Sequence, residues 1–518
     1  MNKENMASIK KTALIITIVS LICKLFGFGR EIILAYFFGT SFVVDAYLMA
    51  SNIPTILFGW LTSLSVCFTP IYMDIKEKYG VDRSKQFTNN IISLVFTVAV
   101  ICGVLTLIFN RQIVSITASG FKGEVFELTS YYLNISIWTI LFIAPTRILI
   151  AYLDCNNGFI NSSISNLVVS ITQFLTIIIA GVINNLLLIY GVLISNILHF
   201  IVVYAFSYKN DFRLKPKLTF TPEIKQTITI VIPIFMSSMI SQIGAFIDKS
   251  FASGLREGSI AALNYGSIMY LFIFSMFTIA ITTMIYPILS QAAAEGNISK
   301  LKDIFSNGIN IIIILFVPIT IGVIILAKPA ISFAFERGEF GTSSLMMTTS
   351  AFIMYSIALL ASALRGVIIK VFYSIKETKP LLFISFFSLA LDLMFNFILI
   401  KPMGHAGLAL GTSLSEILSI PVFLIVLRGK LGALRLKNTI SIFFKSCIST
   451  LVMGITVYFT YNWAVHTLGT GKLNTLLSIL LPVGIGSIVY FILMIILKVK
   501  EIDVFTDIVK KIKLKIMR

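Results

Sequence analysis

The sequence predicts an all-α polytopic membrane protein with about fourteen transmembrane helices: two six-helix lobes in parallel repeat, plus two C-terminal helices. Three observations carry this. The 518 residues are 57% hydrophobic and only 12% charged, whereas soluble domains carry about 25% charged residues. Apolar runs of the roughly 20 residues needed to cross a bilayer recur along the chain, without the two-residue alternation of a β-barrel. Lysine and arginine gather in every second connection.

Taken in order, the expected spans are 13–37, 42–73, 90–110, 126–153, 159–182 and 185–207 in a first lobe. A second lobe follows with 226–248, 259–289, 304–327, 345–369, 380–400 and 405–427, and then the pair 438–461 and 474–497. The corresponding domains are 1–210, 211–430, 431–500 and a basic tail, 501–518. The first apolar run continues past Lys24 to Phe38 with no small-residue cleavage site, so it reads as an uncleaved span rather than a signal peptide. No connection exceeds about 20 residues, which leaves no room for a soluble catalytic domain on either face. The tail, KVKEIDVFTDIVKKIKLKIMR, reads as a basic amphipathic segment lying on an anionic membrane surface.

Net charge is +18, from 41 Lys+Arg against 23 Asp+Glu. On a soluble protein that balance would point to nucleic acid; here it reports loops facing anionic lipid. With both termini in the cytoplasm, inside connections hold about 28 of the 41 cations and outside ones about 8. That bias fixes a multi-pass topology with an even number of spans. Five cysteines without metal-like spacing and three scattered histidines exclude a disulfide framework, zinc or haem. No Walker loop is present, so no nucleotide cofactor is expected. Transport would then draw on a sodium or proton gradient or on the membrane potential, worth about 2.3 kcal/mol per charge per 100 mV.

Residues 26–108 and 243–325 resemble each other at an offset near 217. Gly27 aligns with Gly244, Ala35 with Ala252, Pro70 with Pro287, Lys85 with Lys302, and Asn90 with Asn307. Each copy would hold about six helices, an even number, so both would share one orientation and be related by an axis along the membrane normal. A cavity is expected between such lobes near the midplane. The last two helices lie outside the repeat.

Charges inside the spans say what the cavity would take. Lys24 and Arg30 interrupt the first apolar helix and Asp45 opens the second. A charge at mid-bilayer costs about 2.5–3.5 kcal/mol on insertion scales. Six residues put Lys24 and Arg30 about 120° and roughly 9 Å apart along a helix, with Gly27 and Gly29 between them. Two readings follow: an Arg30–Asp45 pair that only fixes two helices, or a cationic cavity wall for an anionic head group. The guanidinium fork suits phosphate. Arg256 and Lys249 are further candidates, while Arg147 and Arg365 lie where they could snorkel to the cytoplasmic surface. A second constellation, Asp248, Asp392, Asn396 and Thr412 with Glu416 nearby, offers the oxygen ligands of a hard cation or a proton relay.

Six segments carry a resemblance: GFGREIILAYFFGTSFVVDAYLMA, the following FTPIY, ASGF at 118–121, YPILSQAAAEGN at 286–297, ERGEF at 336–340 and GHAGLALGTSL at 404–414. The chain resembles the MurJ/MviN flippases of bacterial cell-wall synthesis, within the multidrug/oligosaccharidyl-lipid/polysaccharide exporter superfamily. The resemblance implies a transporter rather than an enzyme, in the bacterial plasma membrane. It implies alternating access, a cationic cavity binding lipid II through Lys24, Arg30 and Asp45, with Arg256 added as a substrate-binding candidate from the charge reading above, and a groove for the lipid tail in 438–497. It places Asp248, Asp392, Asn396 and Thr412 near a sodium site, with the order of Asp392 and Asn396 reversed. The implied partners are an undecaprenyl-linked lipid and membrane lipids, with no nucleic acid, around a monomer. Two departures stand out. Ile56 and Leu57, and Ile268 after Leu263-Asn264-Tyr265, stand where relatives often carry arginine. A less positive cavity leaves open another lipid-linked oligosaccharide as cargo; a drug/cation antiporter fits the buried cations less well.

Overall fold

The computed structural model describes residues 3–216, 219, 242, 244, 246–469 and 471–502, and among these it is helical with no strand. Contacts divide the chain into two compact units. The first comprises Met1–Ala261 and Arg337–Gly341. It contains α1 (Lys3–Phe38), α2 (Phe42–Phe58), α3 (Trp60–Ile108), α4 (Asn110–Thr117), α5 (Glu124–Ser136), α6 (Ile140–Cys155), α7 (Phe159–Val182) and α8 (Leu187–Lys209). The second comprises Ala262–Glu336 and Thr342–Arg518. It contains most of α9 (Ser259–Ala294), then α10 (Ile298–Ile325), α11 (Ala327–Phe335), α12 (Thr342–Ser356), α13 (Leu359–Ser374), α14 (Lys379–Met403), α15 (His405–Leu431), α16 (Lys437–Leu468) and α17 (Lys472–Ile496).

Every expected span except 226–248 coincides with helix; that one, and the tail from 503 onward, lie largely outside the described residues. Ten helices among the described residues are long and apolar enough to cross a membrane, or eleven if α12 and α13, bent by 43°, form one span. Two expectations change. The connection at 74–89 is helical, so α3 runs through it with a single break at Gly80 (φ 83°, ψ 178°). The span at 345–369 is the bent α12–α13 pair. Helix α16 packs on α17 and on α10, so the two C-terminal helices belong to the second unit.

Each unit has its own core. In the first, Phe68 stacks on Phe87 at 5.6 Å and Tyr72 meets Tyr152 edge-on at 5.6 Å. In the second, Phe305, Phe316, Val367, Phe372 and Phe423 are buried together. Large apolar side chains also remain exposed along the helices, such as Ile425, Phe459 and Ile496. Lipid is the solvent such a surface fits.

Proline shows how the backbone is kept satisfied. A proline inside a helix has no N–H, so the carbonyl four residues earlier loses its partner. In hydrocarbon no water can replace it. Pro54 orphans the Ala50 carbonyl, and the Ser136 hydroxyl of α5 donates to that oxygen at 2.7 Å. Pro318 orphans the Ile314 carbonyl, and the Tyr490 hydroxyl of α17 donates to it at 2.8 Å. Both donors are side chains from another helix placed against a defect that the sequence created.

Close backbone contact explains two of the motifs. Gly39 ends α1 at φ +54°, and a Cβ there would meet the Glu339 carbonyl. Gly338, at φ +58°, would meet the Tyr36 carbonyl in the same way. The Glu339 N–H donates to the Tyr36 oxygen at 2.9 Å. Thus FFGT and ERGEF, some 300 residues apart, are two sides of one contact inside the first unit.

The proline account is testable by a cycle. Tyr490→Phe is expected to lower stability in detergent by about 1–2 kcal/mol, the cost of an unanswered buried carbonyl. Adding Pro318→Ala restores the N–H and is expected to recover part of that loss. Additive losses from the two changes in thermal unfolding would remove the explanation.

Candidate functional site

Helix α1 carries Arg30 into the first unit, and the side chain keeps 33% of its area exposed while adjoining Glu31 keeps 3%. The Arg30 Nε donates to Glu31 Oε1 at 3.0 Å, and Nη2 bonds the same carboxylate. Nη1 donates to Gln173 Oε1 on α7. Gln173 Nε2 in turn donates to Ser195 Oγ on α8 at 3.2 Å. The guanidinium is thus fixed by α1 and α7, and α7 is tied to α8. Three of its five N–H groups are used, which leaves two for a ligand. Tyr47, buried on α2, lies within electrostatic reach of both Arg30 and Glu31, and Lys249 within reach of Glu31 and Asp248.

Burying Glu31 is what makes a guanidinium tenable at this depth. A lone buried charge costs several kcal/mol, whereas a hydrogen-bonded pair offsets most of that. Gln173 was not singled out from the sequence. Its signal is a carboxamide in the middle of the apolar run SITQFLTIII, a group that must find a partner away from water.

Asp45 does not pair with Arg30. Its Oδ2 accepts the Gly258 N–H and its Oδ1 the Ala261 N–H, both at 2.7 Å. These are orphan donors at the start of α9, where a carboxylate meets both the free N–H groups and the positive end of the helix dipole. Next to it, Glu257 Oε1 accepts the Phe42 N–H at 2.9 Å, at the start of α2. The two helix starts therefore cap each other, with Asp45 as the acceptor for the first N–H groups of α9.

The other expected residues spread out. Lys24 is exposed on α1 and Arg256 is exposed in the turn before α9, where its carbonyl accepts the Ser259 hydroxyl at 2.6 Å. Arg365 faces Glu416 at 3.5 Å in the second unit, and Glu416 also takes the Ser362 hydroxyl. Arg147 is exposed. Asp392 and Asn396 are buried one turn apart on α14, with the Asn396 amide donating to Asp392 Oδ2 at 3.4 Å. A Cβ at Gly411 of α15 would lie 2.5 Å from Asn396 Oδ1, so glycine makes room for that amide oxygen. Thr412 donates to its own helix at Leu408. Asp248 belongs to the first unit. No group of three or more His, Cys, Asp or Glu side chains among the described residues is arranged to hold a metal ion.

An apolar cavity of about 360 Å³ lies within the second unit, between α9, α10, α16 and α17. Phe277, Pro318, Met453, Ile479, Val483 and Tyr490 are among its walls, and no charged residue lines it.

A family model described as lipid II flippase MurJ matches residues 34–479. The chain belongs to the MurJ family. A Rickettsia prowazekii protein named "Probable lipid II flippase MurJ" is 27% identical over 413 residues, 78% of this chain and 81% of that one. A Buchnera aphidicola (subsp. Schizaphis graminum) protein of the same name is 26% identical over 501 residues, 94% and 96% of the two chains. The fold matches a solved lipid II flippase MurJ in an inward closed conformation, with a TM-score of 0.79 at 23% identity, over 93% of this chain and 98% of that one. An inward-facing multidrug transporter of the MATE family matches with a TM-score of 0.61 at 16% identity, over 82% and 99%. In this MurJ family member, Glu31 and Gln173 hold the Arg30 cation on α1.

Asp45→Ala is expected to cost about 1–3 kcal/mol, because it leaves the Gly258 and Ala261 N–H groups without an acceptor. Asp45→Asn, which keeps one acceptor oxygen, should fall between. Thermal unfolding in detergent reads this; an Ala variant as stable as the parent would show that the cap carries no weight.

Proposed function

We propose that this protein is a flippase that moves lipid II, the undecaprenyl-pyrophosphate-linked peptidoglycan precursor, from the inner to the outer leaflet of the bacterial plasma membrane by alternating access. Family membership across 34–479 supports the cargo. The observation that carries the chemistry is Arg30: a guanidinium in an apolar helix, positioned by Glu31 and Gln173, with two N–H groups to spare. Those donors suit a pyrophosphate oxygen. The charge-free cavity beside α16 and α17 suits a polyprenyl tail, since only dispersion and exclusion of water are needed there. Both termini lie on the cytoplasmic side in this reading, in keeping with the cation bias.

A second cargo is favoured by one feature. The Arg30 charge is already matched by Glu31, and Ile56, Leu57 and Ile268 add none. A less charged lipid-linked glycan, of the capsule or exopolysaccharide kind, fits that balance.

Coupling falls to the second unit. Asp392 and Asn396, with Thr412 on the next helix, present carboxylate, amide and hydroxyl oxygens, the donor set of a hard monovalent cation. They would hold sodium there, and sodium would supply the gradient that drives the cycle.

Arg30→Ala is expected not to restore growth to cells depleted of their own lipid II flippase, despite normal membrane levels. Arg30→Lys, which keeps charge without the fork, should lower transport by about 10- to 100-fold, the worth of one or two charge-assisted hydrogen bonds. Full complementation by Arg30→Ala would end the role given to this residue. Purified protein in liposomes that moved another undecaprenyl-linked glycan and ignored lipid II would establish the second cargo instead. Asp392→Ala is expected to abolish sodium stimulation of transport in the same liposomes; unchanged sodium dependence would move the coupling site elsewhere.

A further inference from the structure

One face of the second unit is built from three connections, 290–303, 370–379 and 428–437. Together they hold nine Lys and Arg residues and three acids. Each acid already has a cation: Glu295 with Lys300 at 3.0 Å, Glu377 with Lys430 at 2.8 Å, and Asp303 with Arg435 at 2.6 Å. The face therefore keeps a surplus of positive charge that its own carboxylates do not meet.

A concave cavity of about 790 Å³ opens among these connections, within the range of roughly 300–1,000 Å³ of small-ligand sites. Tyr286, Ser290, Gly296, Tyr373, Lys376 and Lys430 are among its walls. One wall is the segment YPILSQAAAEGN, which the flippase reading leaves without a task. The Lys370 ammonium sits 4.9 Å from the Tyr286 ring centre and 5.8 Å from that of Tyr373. Two aromatic faces thus hold this lysine in place by cation–π attraction. Lys376, six residues further on, takes a left-handed backbone (φ 60°) just past the end of α13.

The edge of the cavity is apolar and open. Tyr373 is 45% exposed and Ile298 52% exposed. Lysines over tyrosines at the ends of spanning helices, next to exposed aliphatic surface, occupy the depth of lipid phosphates and upper acyl chains. A soluble phosphate would gain from the lysines but not from the apolar edge.

We propose that this cavity binds the head group of an anionic phospholipid of the cytoplasmic leaflet, with Lys376 of its wall and Lys370, held beside it over the two wall tyrosines, on the phosphate, Tyr286 and Tyr373 at the interface, and Ile298 against the acyl chain. The site is distinct from the one that takes the cargo and does not rest on the identity of that cargo.

The test uses the full-length protein in detergent, titrated with phosphatidylglycerol or phosphatidylcholine and read by native mass spectrometry. The parent is expected to retain one phosphatidylglycerol that phosphatidylcholine does not replace. Lys370→Gln with Lys376→Gln should weaken that binding by about 25-fold, about fivefold per lysine from the roughly 1 kcal/mol each contributes near an anionic surface. Arg428→Gln with Lys437→Gln removes two exposed cations from the same face outside the cavity and should change it by no more than about twofold. Equal losses from the two pairs would mean diffuse surface attraction and would overturn the proposal. So would displacement of the lipid by millimolar inorganic pyrophosphate, which would assign the site to a soluble phosphate. If the double variant does not fold, Lys376→Gln alone carries the test, with a fivefold loss expected.

Discussion

In a hydrocarbon environment every backbone N–H and C=O must find a partner within the protein, and much of this structure is an answer to that demand. Long helices satisfy most of it locally. What remains are the helix ends and the proline defects, and these are met by side chains from elsewhere in the chain. Ser136 answers the carbonyl freed by Pro54, Tyr490 answers the one freed by Pro318, and Asp45 answers the first N–H groups of α9. Each of these bonds ties two helices together where lipid gives no hydrophobic drive to pack them.

The same rule governs charge. Arg30 is tolerated in α1 because Glu31 is buried against it and Gln173 reaches across from α7. Arg365 is tolerated in α13 through Glu416 and the Ser362–Tyr270 hydroxyl pair. In both units a cation is held in place with only part of its hydrogen-bonding capacity spent. That is the condition for a site that must bind an anion and then release it, since a guanidinium fully enclosed by acids would have nothing left to offer.

Much of the candidate site was legible as residues but not as partners. Arg30 announced itself because an arginine amid apolar residues has few bland explanations. Asp45 announced itself for the same reason, yet its obvious neighbour in sequence, Arg30, is not its partner. The donors it meets lie 213 and 216 residues away. Gln173 passed unnoticed because one amide in an apolar run is a weak signal until its acceptor is seen. The break at Gly80 inside α3 was also illegible, because a short charged stretch reads equally well as loop or as helix.

The sequence by itself determined that the chain is an all-α membrane protein, where most of the described spans run, and which family it resembles. Hydropathy and charge bias act over 20 residues at a time and need no tertiary context. Only the tertiary structure decided which polar groups answer one another. The Ser136 bond spans 86 residues and the Tyr490 bond 176, and nothing local in the sequence can choose among the many hydroxyls available to a given carbonyl. It also decided that Asp45 is a cap and that Arg30 is a partly spent donor, because both depend on which helix ends are brought within 3 Å in the folded chain.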